Sequence, residues 1–300
     1  MNYELLKEFC ISRGIEVRFD ELMSTHTSLK IGGPADIALF PDESSLPELL
    51  KILAAERIPS IVIGGGTNIL VKDQGIDGVV IFTSKMNSIA LNAQRSTLNA
   101  EAGCSLQKAL NLCVEQGLSG MEGLAGIPGS IGGAIAGNAG SFGCEMKDVI
   151  KSVNLLMPDG NIDELSADDM GFQYRSARIP SGSIILSAVL SLKKDEPFEI
   201  KKRVAEFIDE KKSKQPVSKA SAGCVFKNHK DTAAGKLIDE AGCKGMRVGD
   251  IEVSSMHANF FINTGKGSAN DFLRLMDMVG DKVKEKFGII LEPEIRIMGK

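Results

Sequence analysis

Two stretches of this 300-residue chain hold the residues whose types and spacing point most directly to chemistry. In the first, GLSGMEGLAGIPGSIGGAIAGNAGSFG (117–143), ten of the chain's 32 glycines fall within 27 residues, and Glu122 and Glu145 bracket an uncharged run. Glycine loses more backbone freedom on folding than any other residue and buries no side chain. Such a stretch is tolerable where bare backbone must approach something closely, and the candidate is a ligand whose oxygens accept from amide N–H groups. In the second, SIVIGGGTNILVKD (60–73), Gly64, Gly65 and Gly66 lead into Thr67 and Asn68 between two short apolar runs. Consecutive amides beside a hydroxyl and a carboxamide suit a pyrophosphate. Neither stretch carries a dinucleotide or P-loop fingerprint: GxGxxG would need glycine where Ile69 stands, and GKGS (265–268) lacks the P-loop order.

Bland readings compete for 117–143. Glycines at 117, 120, 123, 126, 129 and 132 suggest a collagen period, but it then breaks, and Pro128 is the only proline. Leu124, Ile127, Ile131, Ile135 and Phe142 are too few for the roughly 20 apolar positions of a membrane span. Against a loose loop, Ile127, Ile131 and Ile135 recur every fourth residue, as on the buried face of a short helix that Ser130 would cap. A helix N-terminus aimed at an anion and a purely structural turn both remain.

Other candidates are sparser. Tyr174-Arg175 is an aromatic–arginine pair in a predicted loop or short helix (166–180). Lys214 stands apart from a lysine-rich solvated face because the Gln215-Pro216 stop follows it. Small residues precede Cys224 in SAGCVFKNHKD (221–231), with Phe226 and Asn228 alternating on a predicted strand. The run IILEPEIRIM (289–298) puts Glu292, Glu294 and Arg296 on one face and Leu291, Ile295 and Ile297 on the other. Such a strand is either half exposed or lines a site. Six cysteines without a CxxC fit neither a zinc site nor a disulfide framework and point to a reducing cytoplasm. The three histidines form no metal motif, and His26 and His257 read as turn or strand-end residues. A net charge of −4 argues against broad binding to nucleic acid or anionic membranes.

The elements that must position these residues follow from periodicity. Helices are predicted over 3–13, 44–57 (capped by Ser44 or Ser45), 105–117 (capped by Ser105), 198–216, 233–242 and 268–288. Strands are predicted over 36–40, in the runs flanking 64–66, within 78–104, at 183–192, at 257–265 and at 289–298, with a hairpin around Pro158-Asp159-Gly160. Residues 30–80 form a βαβ-type unit, and strands with few helices over 80–195 indicate a mixed α+β domain. The N-terminal decapeptide lacks the basic-then-apolar layout of a secretory signal.

With the pieces in this order, the chain resembles the UDP-N-acetylenolpyruvoylglucosamine reductases over nearly its whole length. The resemblance is carried by TSLKIGGPAD (27–36), IGGGTNILV (63–71), EGLAGIPGSIGGAIAGNAGSFG (122–143), YRSAR (174–178), SAGCVFKN (221–228) and LEPEIR (291–296). It implies an α+β fold: a two-part FAD-binding domain of the vanillyl-alcohol-oxidase (PCMH) type and a C-terminal α+β substrate domain. The parts would be 1–80 joined by the strand 289–300, then 81–196, then 197–288. The implied protein is a cytoplasmic monomer of peptidoglycan synthesis that uses FAD, takes hydride from NADPH, and binds NADPH and a UDP-sugar at one site. It would need no metal, nucleic acid or membrane. FAD would be held by Gly64, Gly65, Gly66, Thr67, Asn68 and Ile69, and by Gly123, Ile127, Pro128, Gly129, Ser130, Gly132 and Gly133. Asn138, Ala139, Gly140 and Arg296 would complete that set, and Tyr174, Lys214 and Asn228 would meet the substrate.

The implied reaction reduces an enolpyruvyl double bond to a lactyl ether. Hydride reaches the terminal methylene, and negative charge builds on the carbon beside the carboxylate. The resemblance assigns stabilisation of that charge to Arg175 and Glu294; a guanidinium can donate two parallel hydrogen bonds to a carboxylate. Glutamate helps there if protonated, which predicts a raised pKa for Glu294. The proton donor falls on Cys224, where many members have serine; a thiol of reference pKa about 8.5 stays mostly protonated at neutral pH. His229 stands where proline is common, and a long insertion bearing a substrate-gripping tyrosine is missing, as in the family's shorter subtype. Taken without the resemblance, the same residues also suit a flavoprotein oxidising a small hydroxy compound, or a nucleotide-binding protein without catalysis.

Overall fold

The structure, a computed structural model, describes residues 3–230 and 232–300. The chain begins with α1 (Glu4–Ser12), β1 (Glu16–Leu22), β2 (Pro34–Phe40), α2 (Leu46–Ala55), β3 (Ser60–Ile63) and β4 (Ile69–Val71). Next come β5 (Ile76–Phe82), β6 (Ile89–Asn92), β7 (Thr97–Glu101), α3 (Leu106–Glu115), β8 (Leu118–Ser119) and α4 (Ile131–Ala136). They are followed by β9 (Gly140–Ser141), β10 (Cys144–Glu145), β11 (Ile150–Leu156), β12 (Ile162–Ser166), β13 (Ile184–Ser191) and β14 (Lys193–Lys194). The last part holds α5 (Pro197–Lys214), α6 (Ala234–Glu240), β15 (Arg247–Val248), β16 (Ile251–Val253), β17 (Phe261–Asn263), α7 (Ala269–Phe287) and β18 (Arg296–Met298). Two compact units divide it: Met1–Phe19, Ile37–Gly65 and Gly78–Asp209 form the first, and Asp20–Asp36, Gly66–Asp77 and Glu210–Lys300 the second.

The first unit is built on an antiparallel sheet of order β12-β11-β13-β7-β6. Central β13 reads IILSAVLS and buries Ile184, Ile185, Leu186, Ala188 and Leu190, a near-continuous apolar run suited to a covered strand. The β11–β12 hairpin turns at Pro158-Asp159-Gly160 as expected, with Gly160 at φ +87 and Met157 N donating to Asn161 O. Helix α3 buries Leu106, Ala109, Leu110 and Cys113, and Ser105 caps it by accepting from Lys108 N. Ser130 likewise caps α4, whose Ile131 and Ile135 are buried. The cap before α2 is Asp42 rather than Ser44 or Ser45: a 3-10 turn at Glu43–Ser45 precedes the helix, and the Asp42 carboxylate accepts from Ser45 N at 3.0 Å. The mouth of the glycine stretch is tied down by Glu122, which is 8% exposed. Its carboxylate accepts from Gly120 N (2.6 Å) and from Nε and Nη2 of Arg203 (3.1 and 2.6 Å) on α5.

The second unit is organised around α7. Phe272, Leu275, Met276, Val279 and Val283 form its buried stripe and share a core with Phe226, Leu237, Ile251 and Phe261. β16 pairs with β15 and β17, and β18 pairs in parallel with β4. Three expected strands shrink. Residues 257–265 pair as a strand only at Phe261–Asn263. Residues 221–228 make isolated bridges, Cys224 to Phe260 and Phe226 to Pro293, and 289–298 becomes a strand only at Arg296–Met298. Pro293 has no N–H to donate to a ladder. Leu291 and Ile295 are buried as expected, whereas Ile297 is 41% exposed. Among the described residues no helix is long and apolar enough to cross a membrane.

All four N-terminal amides of α7 are satisfied. Asp73 accepts from Ala269 N (2.7 Å) and Asn270 N (3.0 Å), Ser268 Oγ accepts from Asp271 N, and the Asp271 carboxylate accepts from Ser268 N. Asp73→Ala orphans two amides and should lower unfolding stability by about 2 kcal/mol, against about 1 kcal/mol for Ser268→Ala. Urea titration checks the ranking; equal losses would show that Asp73 contributes no more than a single cap.

Candidate functional site

In the first unit Gly64 and Gly65, just past β3, lie against Gly129 and Ser130, just before α4. A Cβ on Gly65 would come within 2.7 Å of Gly129 Cα, and one on Gly64 would overlap the Ser130 hydroxyl. Glycine is demanded here by backbone meeting backbone. These loops border a cleft of about 290 Å³ that Thr83, Ser84, Gly103 and Ser105 also line. Thr83 Oγ1 is buried with no hydrogen-bond partner among the described residues, a state that costs ~1–3 kcal/mol unless a ligand relieves it. The Gly65 amide likewise has no protein acceptor among the described residues. Sequence reasoning missed Thr83, which belongs to no motif and merely ends a buried strand.

The start of α4 departs from the expected anion site. Ile131 N donates to Cys104 O (2.8 Å), Gly132 N to Ala102 O (2.8 Å) and Gly133 N to Ser130 Oγ (3.3 Å). Its first three amides are engaged within the protein, so Gly132 and Gly133 offer no bare N–H there. Gly123 accepts from the Ser141 hydroxyl through its carbonyl, and a Cβ on it would come 2.6 Å from Cys144 Cβ. Ala139 bonds Ala134 and Met146, and Gly140 pairs with Glu145, so this end of the stretch is held by its own turns. Ile127 is half-buried and Pro128 exposed beside them.

Asn138 is fully buried, and its carboxamide is turned to the protein rather than to a ligand. Nδ2 donates to Glu145 Oε2 (2.9 Å) and to Gln173 O (3.0 Å), while Oδ1 accepts from Lys147 N (3.1 Å). Burial alone would raise the Glu145 pKa, but hydrogen bonds from Lys147 and Asn138 outweigh it and hold the carboxyl below its ordinary range. Through Gln173 this network pins the turn bearing Tyr174 and Arg175. Gln173 and Ser176 exchange backbone hydrogen bonds across that turn. Arg175 sits at φ +58, in the left-handed region that favours glycine, with its guanidinium 5.2 Å from the Tyr174 ring centre. Strain of this kind persists where surrounding structure over-determines it and clusters at functional sites.

The second unit gathers a different set. Gly66 abuts the His26 carbonyl so closely that a Cβ would overlap it, and beyond Thr67 the chain enters β4. Asn68 Nδ2 donates to Glu294 O (3.3 Å), Arg296 N donates to Asn68 O (3.1 Å), and Ile69 pairs with Arg296. Glu294 N in turn donates to Val225 O at 2.8 Å. Asn68, Ile69, Glu294 and Arg296 therefore share adjoining backbone with the segment that carries the half-buried Cys224. Asn228 is exposed and accepts from Ala234 N (3.0 Å), which caps α6, and Lys214 ends α5 in an exposed ion pair with Glu210 (2.6 Å).

Asn259, which no motif marked, is 1% exposed within the apolar run ANFF. Its carboxamide and carbonyl are bonded to Val225 and Phe226. The only hint in the sequence is a carboxamide where the core calls for an apolar side chain. Next to it, His257 stacks edge-on against Phe260 with ring centres 4.9 Å apart, and its Nδ1 accepts from Asn259 N.

Burial holds the His257 pKa below its usual 6.5. The unfolded chain therefore takes up this proton first as pH falls. The contribution of His257 to stability is complete above about pH 6.5 and is lost below it, down through the folded pKa. The NMR titration midpoint of the ring should lie under 6.5, and His257→Gln should flatten the fall in Tm between pH 7.5 and 5.5; a midpoint above 6.5 would contradict this.

Residues 34–166 match the family described as FAD binding domain, and residues 215–298 that described as UDP-N-acetylenolpyruvoylglucosamine reductase, C-terminal domain. The UDP-N-acetylenolpyruvoylglucosamine reductase of Caldanaerobacter subterraneus subsp. tengcongensis is 42% identical over 299 residues, which cover 99% of this chain and 96% of that protein. The crystal structure of UDP-N-acetylenolpyruvylglucosamine reductase from Thermus caldophilus superposes with a TM-score of 0.82 at 34% identity, covering 95% of this chain and 99% of that one. The BBE-like 1 protein of Physcomitrella patens shares the fold alone: TM-score 0.51 and 19% identity over 63% of this chain and 44% of its own. The architecture is thus the α+β one expected, a vanillyl-alcohol-oxidase-type FAD-binding part followed by a C-terminal domain. Identity of this order across almost every residue means that the chain belongs to the UDP-N-acetylenolpyruvoylglucosamine reductase family.

Proposed function

We propose that this protein reduces the enolpyruvyl group of UDP-N-acetylglucosamine enolpyruvate to the lactyl ether, giving UDP-N-acetylmuramate for peptidoglycan synthesis. The observation that carries the reading is the 2.8 Å hydrogen bond from Glu294 N to Val225 O, which sets an acid-bearing segment beside the one bearing Cys224. FAD fits the first unit: the glycine-walled cleft leaves the Gly65 amide and the orphaned Thr83 hydroxyl for a polar ligand. When bound and reduced by NADPH, FAD supplies the hydride that the methylene carbon receives.

The chain's own residues do the rest. Gly64, Gly65, Thr83, Gly129 and Ser130 would hold the diphosphate end of the cofactor, and the family resemblance assigns Gly66 to Ile69 and Arg296 to the cofactor as well. Arg175 grips the substrate carboxylate through two parallel hydrogen bonds and stabilises the charge that grows beside it. Its strained turn keeps the guanidinium from relaxing when that charge is absent, which is preorganisation in the useful sense. Glu294, in its protonated form, supports the same carboxylate. Cys224 gives its thiol proton to the carbon next to the carboxylate and regains one from solvent. Tyr174, Lys214 and Asn228 meet the UDP-sugar. In this division of labour 1–80 with 289–300 and 81–196 hold FAD, and 197–288 holds substrate. NADPH and the UDP-sugar occupy one site in turn, on a monomer. Cytoplasmic residence fits six cysteines of which none forms a disulfide.

Turnover is read as NADPH oxidation driven by the UDP-enolpyruvyl sugar. Arg175→Ala and Glu294→Ala should each lower kcat by ~10²–10³-fold, and Cys224→Ser should retain more activity than Cys224→Ala. Undiminished turnover in the first two variants, or flavin reoxidised by oxygen and indifferent to UDP-sugars, would sink the assignment. A second test concerns the cofactor alone. The purified protein should be yellow, and Thr83→Val should raise the FAD Kd by ~10-fold, the loss of roughly one hydrogen bond. Gly65→Ala should weaken FAD further by wedging the loops apart; unchanged FAD retention in both variants would remove the cleft from the cofactor site.

A further inference from the structure

Val225 and Phe226 have four backbone polar groups between them, and Asn259 satisfies three. Its carbonyl accepts from Val225 N (2.8 Å), its Oδ1 accepts from Phe226 N (2.9 Å), and its Nδ2 donates to Phe226 O (2.7 Å). The fourth, Val225 O, accepts from Glu294 N (2.8 Å). One buried side chain thus clasps a peptide segment from both its N–H and its C=O, as the backbone of a neighbouring strand would. On the other side of Cys224 stands Gly223 at φ +75, where an added Cβ would meet nothing within 4 Å. Cys224 itself makes a single backbone bridge to Phe260, between a permissive glycine and a segment locked by Asn259.

We propose that Asn259 is the positioning residue of the proton donor: by clasping Phe226 it fixes the 224–226 segment, and hence the Cys224 thiol, in register with Glu294. The inference rests on the reading of Cys224 given above. An apolar residue in this place would fill the volume but leave Phe226 N and O without partners, and a buried unpaired amide is unfavourable. A side chain one bond shorter reaches one of the two groups. Among short uncharged side chains only asparagine carries its acceptor and its donor on separate atoms, so it alone can meet Phe226 N and O together.

The test uses the FAD-loaded enzyme in a double-mutant cycle of Asn259→Ser with Cys224→Ala, and Asn259→Ala as a second variant. A misplacement of about 1 Å can lower turnover by ~10²-fold, so Asn259→Ser should cut kcat by ~10–100-fold, with KM for the UDP-enolpyruvyl sugar and flavin bleaching by NADPH changed by less than about 3-fold. In the Cys224→Ala background the same substitution should cost less than about 2-fold, because the group it positions has gone. Independently of turnover, alkylation of Cys224 by iodoacetamide, followed by peptide mass, should change by about 10-fold in Asn259→Ser, in line with thiol access and orientation.

A cost that is the same in both backgrounds, an unchanged kcat, or loss of flavin content in both Asn259 variants would overturn the proposal and leave the residue a role in stability alone. Should Cys224→Ala turn over like the wild type, the proton-donor reading fails instead. The alkylation rate then decides by itself: a shift upholds Asn259 as the clasp of the thiol, and no shift rejects it.

Discussion

Contact between two backbones without side chains is the constraint on which the first unit depends. Gly65 can touch Gly129 only because it carries no Cβ, which would come within 2.7 Å of Gly129 Cα. This changes the meaning of glycine richness in 117–143. The glycines do not leave a loose coil for a ligand to organise; they let loops from distant parts of the chain meet, and the cleft is the space left beside that meeting. The entropy lost in ordering such a stretch is offset at its edges, by the Glu122–Arg203 pair at one end and by the Asn138–Glu145–Lys147 network at the other.

What the sequence made legible and what it hid divide along the same line. Local signals held: Ser105 and Ser130 cap their helices, the Pro158-Asp159-Gly160 turn closes a hairpin, and the apolar periodicity of 268–288 gives the stripe of α7. Signals that need partners far along the chain failed. The amides of Ile131 and Gly132 looked available because their acceptors, Cys104 and Ala102, lie about 30 residues earlier and reach them only in three dimensions. The alternation at 221–228 and 289–298 looked like strands. Pairing there is limited to single bridges, Cys224 to Phe260 and Phe226 to Pro293, and the Asn259 side chain takes the place of a neighbouring strand beside Phe226, which no period-two pattern reveals. The orphan hydroxyl of Thr83 was invisible for the same reason: its lack of a partner is a property of its surroundings.

Both units pin the backbone beside a proposed functional side chain by one device. Arg175 stands at the tip of a strained turn, and Gln173, two residues before it, is held through its carbonyl by the buried Asn138. Cys224 follows a glycine with positive φ, and the residue two beyond it is held through both N–H and carbonyl by the buried Asn259. In each case the chain keeps an irregular conformation at the residue proposed to act. It then pins the adjacent backbone with a carboxamide whose own hydrogen bonds are taken up within the protein. A regular strand would supply such bonds at less risk, but it would also dictate the direction of the side chain at alternate positions. An aspartate in the same place would bring a charge that low dielectric penalises and a proton that comes and goes with pH. Asparagine has neither, so the bonds by which it holds the backbone do not change with pH. This is the physical reason a buried, fully bonded carboxamide beside a residue proposed to react is assigned to the site even though it touches nothing that would react.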